Sequence, residues 1–175
     1  MFTGSVRDNL LGPRAEATCS SPVTDVVIWE TLRRIGVADV VANITGGLDG
    51  TLGEQGGALS AGERALICLV RAVLRLELPP LPDALSAIPS VILADEPTAS
   101  VDLRADAVVH DTLLTLPQTV LCICHRLHHV PRFDLVAVLN EGSCAEFGSP
   151  TALAMTQGSL YARLVASAAH EYESS

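Results

Sequence analysis

Val91-Ile92-Leu93-Ala94 runs directly into two adjacent carboxylates, Asp95 and Glu96, with Pro89-Ser90 before and Pro97-Thr98 after. An apolar run bounded in this way reads as a short, buried core strand. An Asp at the carboxyl end of such a strand lies where open α/β sheets place their chemistry. In phosphate-handling enzymes that Asp holds Mg²⁺, usually through water, because a hard cation prefers carboxylate oxygen. Strand alternation aims Glu96 differently from Asp95. One carboxylate can then serve a metal while the other polarises an attacking water. Asp-Glu-Pro alone reads better as a strand ending in a solvated acidic turn, so the flanking sequence must decide.

The opening, Met1 to Pro13, shows no clear element. Ser21-Pro22 is a helix start, with Val26, Val27, Trp29, Leu32 and Ile35 at helical spacing and Gly36 as the stop. Val37 to Asn43 predicts one more short helical turn. Gly46 to Gly57 holds six glycines in twelve residues and reads as flexible loop. A helix is expected from about Gly62 to Leu76, burying Leu66, Ile67, Leu69, Val70, Val73 and Leu74, with Arg64, Arg71 and Arg75 opposite. Leu78 to Pro89 carries four prolines and reads as loop or insertion. A helical pattern over Asp102–Leu116 precedes a second fully buried strand, Thr119 to Cys124. Leu135–Leu139 and Cys144–Phe147 flank a turn at Asn140-Glu141-Gly142 and predict a hairpin. Ser149-Pro150 opens a short helix, and a last helix spans about Leu160 to Ala169. Strands alternating with helices give an α/β fold with a parallel sheet in its central part.

The chain of 175 residues is long enough for one domain with its own core. No apolar run reaches the roughly 20 residues of a membrane span, and no signal peptide is visible at the N-terminus. A net charge of −9 argues against nucleic acid as a partner. All 11 basic residues are arginines, and the absence of lysine excludes a complete Walker A loop as well as lysine-based covalent chemistry. The five cysteines, Cys19, Cys68, Cys122, Cys124 and Cys144, have no C-x-x-C spacing and read as reduced, buried thiols in an intracellular compartment. Cys122 and Cys124 fall on one strand face, where buried thiols are a commoner reading than a metal site.

Leu59-Ser60-Ala61-Gly62-Glu63 opens the long helix. A helix N-terminus with small residues and free amides attracts phosphate. Ser60-x-x-Glu63 is equally a capping box, and on the pentapeptide alone that is the better reading. Taken with Ala94-Asp95-Glu96-Pro97-Thr98-Ala99-Ser100-Val101-Asp102 and Cys124-His125-Arg126-Leu127-His128, however, it resembles three ordered motifs of the ABC-transporter ATPases. These are the signature, the Walker B strand with its D-loop, and the switch-histidine loop. Thr98–Asp102 and Gly62–Leu74 resemble the multidrug-resistance-associated C subfamily, in its second nucleotide-binding domain. Phe2 to Leu10 resembles the segment after that domain's Q-loop, and Phe133 to Ala168 its closing hairpin and helices.

The resemblance implies a partial P-loop NTPase domain. Residues 1–76 would form the helical signature region, 77–90 a proline-rich insertion, and 91–175 the Walker B to C-terminal part. It implies ATP and Mg²⁺ as cofactors, with Asp95 supporting Mg²⁺ and Glu96 as the general base that orients water. His125 would contact the γ-phosphate, and Asp102 would communicate with the facing domain. Ser60, Ala61, Gly62 and Glu63 would close over ATP held by that domain. The other implied partners are the transporter's transmembrane domains, with this chain on the cytoplasmic side of the membrane. Ala61 stands where the family often has Gly, Glu63 where it often has Gln, and Pro97 where alanine is common. The adenine-stacking aromatic, the Walker A lysine and the Q-loop glutamine are missing, as are the first strands, so the isolated chain is expected to be inactive. The main expectation is therefore a fragment of an exporter's ATPase motor. The alternatives are a non-catalytic half-domain lending its signature to another ABC domain, and a DNA-repair-type head domain. The acidic balance and the lack of heptads argue against the last. His125-x-x-His128-His129 lacks a cysteine or carboxylate at ligand spacing, which sets zinc aside.

Overall fold

The computed structural model describes residues 3–12, 23–53, 57, 59–77, 91–99 and 101–173, with side chains to residue 168. Contacts divide the chain into two units, Met1–Ile92 with Ser100–Leu121, and Leu93–Ala99 with Cys122–Ser175.

The first unit is helical. Helix α1 (Val6–Leu11) forms in the stretch expected to be irregular. Ser5 and Asp8 cap it reciprocally, and Val6 and Leu10, four residues apart, are fully buried. That short capping box was the available signal. Helix α2 (Asp25–Ile35) starts later than Ser21-Pro22 would place it, because Thr24 is extended at its N-cap. Ser21 and Pro22 themselves lie outside the described residues. The buried face of α2 is Ile28, Thr31, Leu32 and Ile35, while Val26 is exposed. Gly36 ends the helix in the left-handed conformation, as expected. Arg7 ties these parts together, reaching Asp25 with two nitrogens and Asp49 with its Nε. The two carboxylates hold the guanidinium charged, and the hydrogen bond from Arg7 in turn keeps Asp25 below the usual carboxylate range.

The short turn expected after Val37 is helix α3 (Ala38–Ala42). The described residues 46–53 of the glycine-dense segment adopt a defined backbone, which corrects the reading of flexible loop for that part. It contains a 3-10 turn, Gly47–Asp49, and then runs beside the chain's start, with Val6 N donating to Gly50 O. A Cβ on Gly50 would meet Thr45 O at 2.4 Å, so glycine is required there by backbone approach. Helix α4 (Ala61–Glu77) buries all six residues of its expected stripe, against α1, α2 and α5 (Leu103–Thr115). Arg71 turns inward to donate to Asn9 O. The Leu78–Pro89 stretch lies outside the described residues.

Strands β1 (Val91–Asp95) and β2 (Thr119–Ile123) pair in a two-stranded sheet. Glu96 N donates to Ile123 O, so the carboxyl ends of both strands lie together and the pair is parallel. Their apolar runs read as strands buried on two faces, although the missing first strands imply exposed apolar faces on the sheet. Both instead alternate, with Leu93 75% and Ile123 54% exposed. Apolar content reports a preference for burial, whereas actual burial depends on what packs against each face.

The second unit closes with the expected hairpin, β3 (Val136–Asn140) and β4 (Ser143–Gly148). Asn140 pairs Ser143, leaving a two-residue turn in which Glu141 and Gly142 both have positive φ. Ser149 caps α6 (Pro150–Met155). Helix α7 (Leu160–Glu173) follows and is longer than expected. Val130, Val138, Leu153 and Tyr161 form the core of this unit. A 3-10 segment, Leu127–Arg132, supplies Val130 and has no sequence counterpart among the expected elements.

Glu146 on β4 secures α7 from outside. Its carboxylate accepts from Leu160 N at 2.7 Å, Tyr161 N at 3.0 Å and Ser159 Oγ at 2.9 Å. The amides of Tyr161 and Leu160, with the Ser159 hydroxyl, hold its pKa below the ordinary glutamate value of 4.5. The stabilisation is complete above 4.5 and is lost as pH falls through the lower native value. In pH-resolved urea melts, Glu146→Gln should therefore be less stable than wild type at neutral pH, and the gap should close in acid. A gap that persists unchanged at low pH would contradict the carboxylate's role.

Candidate functional site

The candidate residues fall in two groups, one in each unit. In the first unit, Ser60 and Glu63 form the capping box in full. Ser60 N donates to Glu63 Oε2 at 2.7 Å, and Glu63 N to Ser60 Oγ at 3.2 Å. The bland reading of this pentapeptide is thus real, and it leaves Ala61 and Gly62 at the first positions of α4.

Asp102 is the N-cap of α5, its Oδ1 accepting from Ala105 N at 2.8 Å. Its other oxygen faces Gly62, 3.8 Å from where a Cβ on that glycine would stand. Spacing could not have joined these two residues; the packing of α4 on α5 does so. Gly62 has no steric need to be glycine, since an added Cβ meets neighbours only at 3.6–3.9 Å. Gly62→Ala should accordingly fold normally, gaining up to about 1 kcal/mol of helix stability. A loss of stability in thermal melts would show that the glycine is structural after all.

In the second unit, Asp95 ends β1 and Glu96 follows it, both exposed. Glu96 has φ 43°, a left-handed conformation uncommon for a residue with a side chain. The bond from its amide to Ile123 O fixes it there, and its carbonyl accepts from Ala99 N to form the next turn. This turn brings Glu96 Oε1 to 2.7 Å from His125 Nε2, just beyond the end of β2. The two side chains, distant in sequence, are joined because their parent strands are parallel neighbours. His125 and Glu96 are both substantially exposed, and so is Asp95. The exposed Asp95 carboxylate at the end of β1 is a hard oxygen donor of the kind a magnesium ion takes, usually with several waters retained. The residues present therefore fit that ion. They offer no lysine for a nucleotide's β- or γ-phosphate.

Sequence reading missed the buried polar pair on α5. Asp106 and His110 are 0% and 1% exposed, with His110 Nδ1 3.4 Å from Asp106 Oδ1 and 3.0 Å from Asp106 O. Their i, i+4 spacing was the available signal, hidden inside an apolar helix pattern.

No protein-family model matches the chain. Among curated proteins, it is 35% identical over 167 residues to "Putative ABC transporter C family member 15" of Arabidopsis thaliana. It is 37% identical over 168 residues to "Metal resistance protein YCF1" of Saccharomyces cerevisiae. It is 36% identical over 169 residues to "ATP-binding cassette sub-family C member 10" of Mus musculus. These alignments take in 94%, 92% and 95% of this chain but 14%, 10% and 10% of the relatives. In structure, it resembles a bacterial Atm1-family ABC exporter solved with ATP bound, with a TM-score of 0.74 and 26% identity. That match covers 97% of this chain and 27% of the exporter. The chain is therefore a relative of the ATP-binding-cassette transporters. Within them, it is homologous to the C family along nearly its whole length. It spans about one-tenth of the length of those curated relatives.

Proposed function

We propose that this sequence is the signature-to-C-terminal part of an ABC exporter's ATPase domain, in which ATP binding and hydrolysis drive transport. The 2.7 Å contact between Glu96 and His125 at the carboxyl ends of two parallel strands carries this reading. Bound magnesium would neutralise charge developing on the transferred phosphoryl group. Asp95 supports that ion, usually through water. Glu96 is the general base that orients the attacking water, with one oxygen held by His125. His125, so positioned, addresses the γ-phosphate. Ser60, Ala61, Gly62 and Glu63 close over ATP held by a facing ABC domain, and Asp102 relays that contact through its place beside Gly62.

The partners on this reading are the facing ATPase domain and the transporter's transmembrane domains, on the cytoplasmic side of the membrane. No helix among the described residues is long and apolar enough to cross a membrane. Without a lysine and its amide nest, the 175-residue chain alone should neither bind ATP tightly nor hydrolyse it. Hydrolysis by the purified chain that disappears in Glu96→Gln would contradict this. An antibody against 158–175, used on membrane and soluble fractions of the source cells, tests the assignment directly. Membrane bands far above 18.3 kDa support a transporter's motor domain. A soluble species of 18.3 kDa would favour a non-catalytic half-domain that lends its signature to another ABC domain.

A further inference from the structure

Two thiols of the second unit take no part in the proposed hydrolytic chemistry. Cys122 lies on β2 and Cys124 just past its end, two residues on, and the two thiols meet. Both are half-buried, and their sulfurs lie 3.2 Å apart. Cys124 also packs against the core of Val130, Val138, Leu153 and Tyr161, which limits how far the pair can spread. Both are reduced. We propose that Cys122 and Cys124 form a dithiol clamp for a trivalent arsenic centre, such as a mono-organic arsenical.

The sulfur separation suits this class better than a tetrahedral zinc site. With a centre–sulfur bond of about 2.3 Å, two sulfurs 3.2 Å apart subtend about 90° at the bound atom. Tetrahedral zinc at the same bond length needs its sulfurs about 3.8 Å apart. A pyramidal trivalent centre, whose lone pair presses its bonds toward a right angle, accepts the narrower bite. Proton chemistry agrees. The hydrogen bond with Cys124, followed by burial, pushes the Cys122 thiol well up, so it stays protonated at neutral pH. Zinc requires thiolates, and peroxide attack also proceeds through the thiolate. An organoarsenic(III) oxide instead reacts with two thiols. Its arsenic–oxygen bond breaks, two arsenic–sulfur bonds form, and both thiol protons leave with the oxygen as water. Arsenic remains trivalent, and no oxidant or reductant is consumed.

Phenylarsine oxide is the probe, applied to the reduced 175-residue chain. Trypsin releases residues 105–126, a peptide holding Cys122 and Cys124 and no other cysteine. After one equivalent of arsenical and then N-ethylmaleimide, mass spectrometry of this peptide should show both thiols protected, with Cys68 and Cys144 alkylated. A dithiol should reverse the protection and a monothiol should not. Because the fold preorganises the pair, protection in concentrated urea should need at least about tenfold more arsenical. Alkylation of Cys122 and Cys124 at the rate of Cys68 would overturn the proposal, and so would protection unchanged by urea. Cys122→Ser and Cys124→Ser should each abolish protection of the remaining thiol, and survival of protection in either would also overturn it. The decisive comparison uses the wild-type chain, so a variant that misfolds leaves the test intact.

Discussion

Glu96→Gln, introduced into the protein in its native membrane, should lower ATP turnover on the order of 10²–10⁴-fold, the usual contribution of a positioned general base. The substitution keeps the size of the side chain and its reach to His125 Nε2, now 2.7 Å from Glu96 Oε1. It removes the basic oxygen that would take a proton from water. Phosphate release by protein immunopurified from solubilised membranes gives the rate, and retained nucleotide gives binding. Slow turnover with nucleotide retained is the expected pattern. Turnover close to wild type would sink the assignment of Glu96 as base. The backbone provides a control, because Glu96 sits at φ 43°. Glu96→Gly should relieve about 1–2 kcal/mol of left-handed strain while also losing the base. A gain in stability together with a loss of turnover would separate the cost of the turn from its chemical use.

The second large effect concerns stability. Ile67→Ala should cost about 2–5 kcal/mol, as large-to-small changes at closed core sites do. Ile67 is 0% exposed on α4, the helix against which α1, α2 and α5 all pack. The loss is a large fraction of the about 5–15 kcal/mol that holds a typical domain together. Urea titration followed by far-ultraviolet circular dichroism reads it as a shift in midpoint. Cys68, one residue further on, is exposed, as is Cys144, which corrects the reading of both as buried thiols, and Cys68→Ala should stay within about 0.5 kcal/mol of wild type. Equal effects at the two positions would mean that α4 does not bury the face seen here.

The contrast between Ile67 and Cys68 was already visible in the sequence. Six apolar residues at helical spacing leave one way to orient α4, and all six are buried. The β3–β4 hairpin was similarly legible, because a two-residue turn between alternating strands is a local matter. Local signals failed where they were weak or competing. Helix α1 depends on a brief Ser5–Asp8 cap in a polar stretch, and Ser21-Pro22 offered a better-looking start for α2 than Thr24, which has no side-chain capping bond.

The motifs around Ser60, Asp95 and His125, and the kinship they imply, were determined by sequence alone, because each is a contiguous run of residue types. The absence of lysine is likewise a fact of sequence. Only tertiary structure decided that Glu96 meets His125, that Asp102 faces Gly62, and that Glu146 caps α7. It also decided that β1 and β2 keep an exposed face despite their apolar content. The physical reason is the range of the interactions. Periodicity and capping act over a few residues and are written locally. Strand pairing, helix packing and the covering of a sheet face join residues far apart in sequence and exist only once the chain has folded.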